Sequence, residues 1–232
     1  MWVAFTDAAA GNLALHVGDD PAGVRVRRAE LERAAGLGSR HFQYMNQVHG
    51  SDVAVISGSD FTAEAAGPTA DAMVSPDRPL AVMVADCVPV VLVGEQAGGA
   101  PLLGVAHAGR PGVASGVVPA TVARLRKLGA GSVSAWIGPS ICGSCYEVPE
   151  DMREDVAAVV PASWCTTSRG TPGLDLPAGV RSQLEADGVT VEHSGGCTLE
   201  DAAQFSYRRD RRSGRFAGLV WTDGRDRDRA HD

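Results

Sequence analysis

Three residues far apart in the chain, His49, Cys87 and His107, have side chains that could work together. Cys87 and His107 each follow an apolar run, residues 80–85 and 102–106. At such a strand end a side chain can leave the sheet and enter a pocket. His49 lies in the polar stretch Asn46-Gln-Val-His-Gly-Ser-Asp52, just ahead of a short strand candidate. Two imidazoles and a thiolate make a three-ligand zinc set, with a fourth position left for water or substrate. A metal so held lowers the pKa of its bound water toward ~7. The same residues allow a metal-free dyad, Cys87 beside His107, as in thiol hydrolases. Asp86 disfavours that thiolate unless its carboxylate points away. Taken singly, a buried cysteine is an ordinary small hydrophobe.

Two further stretches carry candidate chemistry. Cys142-Gly-Ser-Cys145 has the C-x-x-C form of thioredoxin-like redox sites. However, Tyr146-Glu-Val-Pro149 separates its second thiol from the next helix, so activation by a helix terminus is weak. A structural zinc there needs two more cysteines, and Cys165 and Cys197 are the only spares; free thiols in a turn are the plainer reading. Residues 206–215 hold five arginines, the pattern of a solvated turn, although Tyr207 and Arg208 stand where they could reach a phosphate or a ring. No G-x-S-x-G, G-x-G-x-x-G, Walker loop, H-E-x-x-H or deaminase H-x-E…P-C-x-x-C signature occurs.

Positioning these groups requires a core. The chain has 232 residues, 44% hydrophobic and 21% charged, which excludes wholesale disorder and collagen-like repeats. A formal charge of −7 argues against a general nucleic-acid coat. Lys127 is the only lysine and reads as part of a solvated helix face, so Schiff-base and Walker mechanisms are unfavoured. Any anion must be held by arginine, backbone N–H groups or a metal. No 18-residue apolar run and no basic segment ahead of an apolar core is present, so neither a membrane span nor a signal peptide is expected. Five cysteines, an odd number, suit free thiols or metal ligands in the cytoplasm.

The patterning predicts helices over 21–36, 112–128, 150–160 and 177–186, with Pro119 kinking or starting the second. It predicts strands over 53–56, 80–85, 88–93, 102–106, 133–137 and 218–221, several of them buried on both faces. Residues 61–68 read as loop, and the charged tail, 223–232, as frayed. One mixed domain, 1–222, is expected. Arg28, in the first helix, reads as exposed.

Taken together, the motifs resemble the laccase-domain (YfiH-type) family, first named multicopper polyphenol oxidases and now regarded as purine nucleoside phosphorylases. The matching segments include Asn46-Gln-Val-His-Gly50, Ala70-Asp-Ala-Met-Val74, Val84-Ala-Asp-Cys-Val-Pro-Val90 and Ala106-His-Ala-Gly109. They continue through Trp136-Ile-Gly-Pro139, Cys145-Tyr-Glu-Val148, Leu174-Asp-Leu176, Cys197-Thr198, Phe205-Ser-Tyr-Arg-Arg209 and Gly214-Arg215. The resemblance implies an α+β single domain, a layered α/β/β/α sandwich with mixed β-sheets. It implies a catalytic zinc (Zn2+) on His49, Cys87 and His107. It also implies phosphorolysis of adenosine, inosine, guanosine or methylthioadenosine, with adenosine deamination at the same site. The carried-over substrate-binding arginine is Arg28, with Arg110, Tyr146 and Arg208 as further substrate-binding candidates; for deamination Asp86 and Asp71 are the candidate proton carriers. Tyr146 and Tyr207 could stack the base or be core.

This chain departs from the family's pattern in places. His107-Ala-Gly-Arg110-Pro111-Gly112 stands where the family has His-Ala-Gly-Trp-Arg-Gly, so Arg110 would replace an arginine from one position earlier. Arg27-Arg28 replaces an Asn-Arg pair, and the N-terminal Gly-rich loop is missing. Cys142 occupies a usual glycine position, which makes the C-x-x-C incidental to the family's pattern. Six histidines without close-spaced pairs cannot furnish several copper centres, so the oxidase label is rejected. The rival readings are a thiol or zinc amide hydrolase editing cell-wall precursors, and a non-catalytic or redox protein using Cys142 and Cys145.

Overall fold

The computed structural model describes residues 1–58 and 67–223. Most of the expected loop over 61–68, and the tail from 224, lie outside the described residues. The apolar runs do form doubly buried strands: every residue of β4 (Leu80–Val84) and β6 (Leu102–Ala108) is buried, and β5 (Val88–Glu95) is buried up to its last residue.

The strands make two principal sheets. The larger, with β2 (Val53–Val55), β3 (Ala72–Ser75), β7 (Ser132–Ile137) and β10 (Thr190–His193), has the order β10-β7-β5-β6-β3-β2. Its two outer pairs are parallel and its inner pairs antiparallel. The smaller is antiparallel throughout, with β11 (Phe216–Trp221) between β1 (Trp2–Phe5) and β4. A short pair, β8 (Trp164–Thr166) and β9 (Pro172–Leu174), stands apart.

Strand alternation assigns each face. On the large sheet Ala72, Val74, Val90, Leu92 and Ala106 meet helix residues such as Val117, Val122, Leu125 and Val180. From the opposite face Met73, Val91, Val93, Leu103 and Val105 pack on Leu80, Val82, Val84 and Phe216 of the small sheet. The small sheet's outer face, Ala81, Met83, Ala217 and Leu219, is covered by Leu13, Leu37, Phe42 and, from α1 (Pro21–Ala34), Leu31. The layers are therefore helix, sheet, sheet, helix, as expected.

Helix ends follow local chemistry. Asp20 caps α1, its carboxylate accepting from Ala22 and Gly23 N–H, with Pro21 in the first turn. The helix expected over 112–128 is two: α2 (Arg110–Ser115) and α3 (Val117–Lys127). The break falls at Gly116, in the left-handed region at φ 82°, which lacks the Cβ that would oppose it. Pro119 sits harmlessly in the first turn of α3, where no intrahelical N–H is needed. α4 (Glu150–Val159) and α5 (Leu176–Ala186) lie close to expectation. Five strands, β1, β3, β8, β9 and β10, went unread, each being only three or four residues long.

Candidate metal centre

The alternation that places Leu103 and Val105 between the sheets continues to His107, which emerges at the end of β6 on the same side. Cys87 immediately precedes β5 and is brought there by a tight reversal from β4, in which Asp86 adopts φ 83°. His49 comes from the loop before β2 and itself has φ 62°. These are the only non-glycine residues with positive φ among the described residues, and both adjoin the same point. Each such conformation costs about 1–2 kcal/mol, so the surrounding contacts must impose it.

The three side chains meet. Their donor atoms all lie within 4.8 Å of one another. Cys87 Sγ is 3.8 Å from His49 Nε2, and the two imidazoles cross at 75° with centroids 4.6 Å apart. A tetrahedral ion with bonds of ~2.0–2.3 Å needs ligand separations of roughly 3.3–3.6 Å, so small rotations would close the set. Gly109 lies against the trio: a Cβ there would come within 2.7 Å of His49 Cδ2 and 3.2 Å of Cys87 Sγ.

Asp71 fixes the geometry. Fully buried, it accepts from His107 Nδ1 at 2.8 Å and from the backbone N–H groups of Val48, His49 and Gly50. One carboxylate thus sets the His107 tautomer, freeing Nε2 for an ion, and shapes the loop carrying His49. Burial alone would raise the Asp71 pKa; the bonds from His107 and Gly50 outweigh it and hold the carboxyl below its usual range. Burial would also raise Cys87, but His107 and His49 bring its thiol down to about 6. His107 moves up to about 9 despite burial, held by the Cys87 sulfur and Asp71. The donor set therefore fits a divalent metal, which would take the place of the His107 proton.

Two hollows share His49 and Cys87 of this trio as a wall. One, about 280 Å³, is lined by His49 and Cys87 together with Asp86, Arg110, Tyr146, Tyr207 and Arg208. The other, about 320 Å³, is lined by the whole trio with His16, Gln47, Met83, Tyr207 and Arg215. Of the residues expected to touch substrate, Arg110, Tyr146 and Arg208 line the first hollow. Arg208 lies over the Tyr146 ring at 4.7 Å and donates to Glu147 O. Arg28 departs from its exposed reading. Its guanidinium stacks on Tyr44 at 3.6 Å, bonds Leu13 O and reaches Met83 Sδ on the second hollow's wall.

Neither candidate proton carrier is loose. Asp71 has both oxygens engaged and lines neither of these two hollows. Asp86 does face one, while accepting from Thr198 Oγ1 and Arg208 N–H, both at 2.7 Å. Arg215 stands in the matching pair Gly214-Arg215 but is given no site role there; its side chain donates to the carbonyls of Ser213 and Gly214 and lies 5.8 Å over the Tyr207 ring. Its signal was present: an arginine directly before an apolar strand. Gln47 stands in the matching segment Asn46-Gln-Val-His-Gly50 and His16 in a further match, His16-Val-Gly-Asp19, with neither given a site role.

A layered α/β protein with an Asp-anchored His–Cys–His centre between two hollows is the class this geometry defines. Residues 4–223 match the model of a family described as multi-copper polyphenol oxidoreductase laccase, and the chain belongs to that family. Purine nucleoside phosphorylase ORF3 of Streptomyces griseus is 51% identical over 217 residues, covering 91% of this chain and 87% of the relative. Purine nucleoside phosphorylase Rv2149c of Mycobacterium tuberculosis is 43% identical, with 91% and 84% covered. Among solved structures, YlmD from Geobacillus stearothermophilus superposes with a TM-score of 0.78 at 33% identity, over 90% of this chain and 84% of its own. The Bacillus licheniformis hypothetical protein YfiH gives 0.81 at 26%, over 95% and 92%. No helix among the described residues is long and apolar enough to cross a membrane.

Proposed function

We propose that the protein is a zinc-dependent purine nucleoside phosphorylase, cleaving adenosine, inosine, guanosine or methylthioadenosine with phosphate to free base and ribose-1-phosphate. The observation that carries this reading is the convergence of His49, Cys87 and His107 on the wall between two hollows that also hold arginines and tyrosines. The phosphorylase names of the relatives support it. Zinc on the trio would supply a Lewis acid that polarises a phosphoryl or sugar oxygen.

The remaining work belongs to the chain. Arg110, Arg208 and Arg215 face the trio with no carboxylate salt bridge among the described residues, and such cations favour an anion such as phosphate. Tyr146 and Tyr207 offer ring faces to a purine. Arg28 supports the second hollow through Met83. Asp71 orients His107, and Asp86 is the carboxylate placed to carry protons if adenosine is also deaminated. All five cysteines are free thiols, which fits a reducing cytoplasm. Two imidazoles at one point fall short of a multicopper oxidase.

A second reading rests on one observation. Asp71, His107 and the low-pKa Cys87 stand in the order of a thiol hydrolase triad, which suits amide cleavage of a cell-wall precursor. Incubation of adenosine with and without phosphate decides. Adenine plus ribose-1-phosphate, formed only with phosphate and abolished by a chelator, supports phosphorolysis. Inosine in both tubes marks deamination instead. Peptide release that survives chelation and His49→Ala would favour the thiol hydrolase.

A further inference from the structure

Outside the centre described above, the fold gathers a second set of metal-ligating side chains. Cys142, Cys145, Cys197 and Glu200 bring one ligand atom each, all within 4.8 Å of one another. Cys142-Gly-Ser-Cys145 follows β7, and Cys197-Thr-Leu-Glu200 follows β10. Both pairs have the same i, i+3 spacing. The two segments are joined by a parallel bridge between Ser140 and Cys197, with Thr198 N–H donating to Ser140 O at 3.1 Å. Two short turns held side by side, each presenting two donors, is the construction of a closed tetrahedral site.

We infer that these four side chains form a structural zinc site, Cys3Glu, separate from the His–Cys–His centre and independent of the activity proposed for it. Cys145 Sγ and Glu200 Oε1 are 3.4 Å apart, close to the ~3.5 Å edge of a tetrahedron with sulfur and oxygen ligands. The backbone N–H of Cys142 points at Cys197 Sγ at 3.4 Å, as is needed where several thiolates share one ion. Burial would raise the Cys197 thiol, but this N–H and that of Glu200 hold it below the usual range. Cys142 and Cys145 are pushed up instead, chiefly by burial and by their sulfur neighbours, so they are poor redox nucleophiles. Three soft sulfurs and one carboxylate select zinc over magnesium or calcium. Binding would release whatever protons the three thiols carry.

The site has a place in the molecule's economy of loops. One of its segments supplies Ile141 and Tyr146 to the first hollow, and Ile141 N–H donates to Asp86 O. The other supplies Thr198, which holds the Asp86 carboxylate. Arg209 gathers the carbonyls of Thr198, Leu199 and Asp201. A zinc ion would staple the two segments and steady the wall they build. Cys165, the other spare thiol, lies beside Gly143 and outside the four.

The test uses full-length His49→Ala protein, in which the first centre is disabled, reduced, stripped and titrated with cobalt(II). The expected result is one cobalt per chain, with tetrahedral visible bands and a sulfur charge-transfer band of three-thiolate rather than one-thiolate intensity. Zinc should displace the cobalt, and Cys197→Ser in the same background should weaken uptake by at least ~100-fold, a ligand mattering no less than its supporting shell. X-ray absorption of unmodified protein loaded with zinc keeps the test independent of how the variants fold. Two zinc ions per chain, one of them with three sulfurs and one oxygen, support the site. Failure of cobalt uptake by folded His49→Ala protein, one zinc per unmodified chain held by a single sulfur, or an intact mass showing a disulfide among these cysteines would overturn it.

Discussion

The two cysteine-bearing clusters are built on opposite plans. The His–Cys–His trio draws one donor from each of three distant segments and borders two hollows. The cluster of Cys142, Cys145, Cys197 and Glu200 draws two donors from each of two adjoining turns and would fill all four corners of an ion from the chain. An open corner admits reactants, while a closed set only ties loops together. On the proposed readings, the difference teaches that position in the fold, rather than cysteine content, separates chemistry from support.

The strongest test of that contrast is Cys87→Ser. It should cut phosphorolysis by at least the ~10²–10³-fold that loss of one transition-state stabilising group costs, with the folded circular-dichroism spectrum retained. Activity near the unmodified level would break the contrast at its root. Next in size is metal removal. A strong chelator should lower the thermal midpoint by about 5–10 °C, corresponding to ~2.7 kcal/mol lost from a chain of this length. Most of that loss should persist in Cys87→Ser and vanish in Glu200→Gln. Equal effects in the two variants would mean that both clusters are structural.

Asp71→Asn should weaken metal binding at the trio by about 10–100-fold in competition assays, because the amide presents N–H groups to donors. The pH dependence is gentler and has a definite sign. His107 is protonated below about 9 and Cys87 is a thiolate above about 6, so between these values an ion must displace one proton. Zinc affinity at the trio should therefore rise about tenfold per pH unit across that window, level off above it, and fall more steeply below as the thiol protonates. A flat profile would contradict the assigned ion pair. Smallest is Arg110→Ala, expected to raise the KM for phosphate by up to ~10-fold with kcat little changed, since other guanidinium groups border the site. A larger loss confined to kcat would place Arg110 at the reacting atoms.

Much of this was legible in the residue order. Continuous apolar runs fixed β4, β5 and β6, and the residues just beyond them gave Cys87 and His107 their place. The second cluster was not legible in the same way. Cys142 and Cys145 were visible as a pair, but Cys197 was only a spare, and Glu200 looked like any surface acid until the Ser140–Cys197 bridge brought the turns together. Four-residue β10, which delivers that turn, is too short to reveal itself through alternation. Arg28 misled for a related reason: it is one of several charged residues on its helix, so nothing in the pattern marked the stacking on Tyr44.

The left-handed backbone at His49 and Asp86 has a practical consequence for anyone engineering heat tolerance. Glycine is the routine remedy at such positions, and by conformation alone it would relax both. Here it would delete an ion-seeking imidazole at one and, at the other, the carboxylate that pins two loops. The molecule thus keeps two conformational debts that endurance alone would cancel, and a thermostabilised descendant should be sought through changes elsewhere.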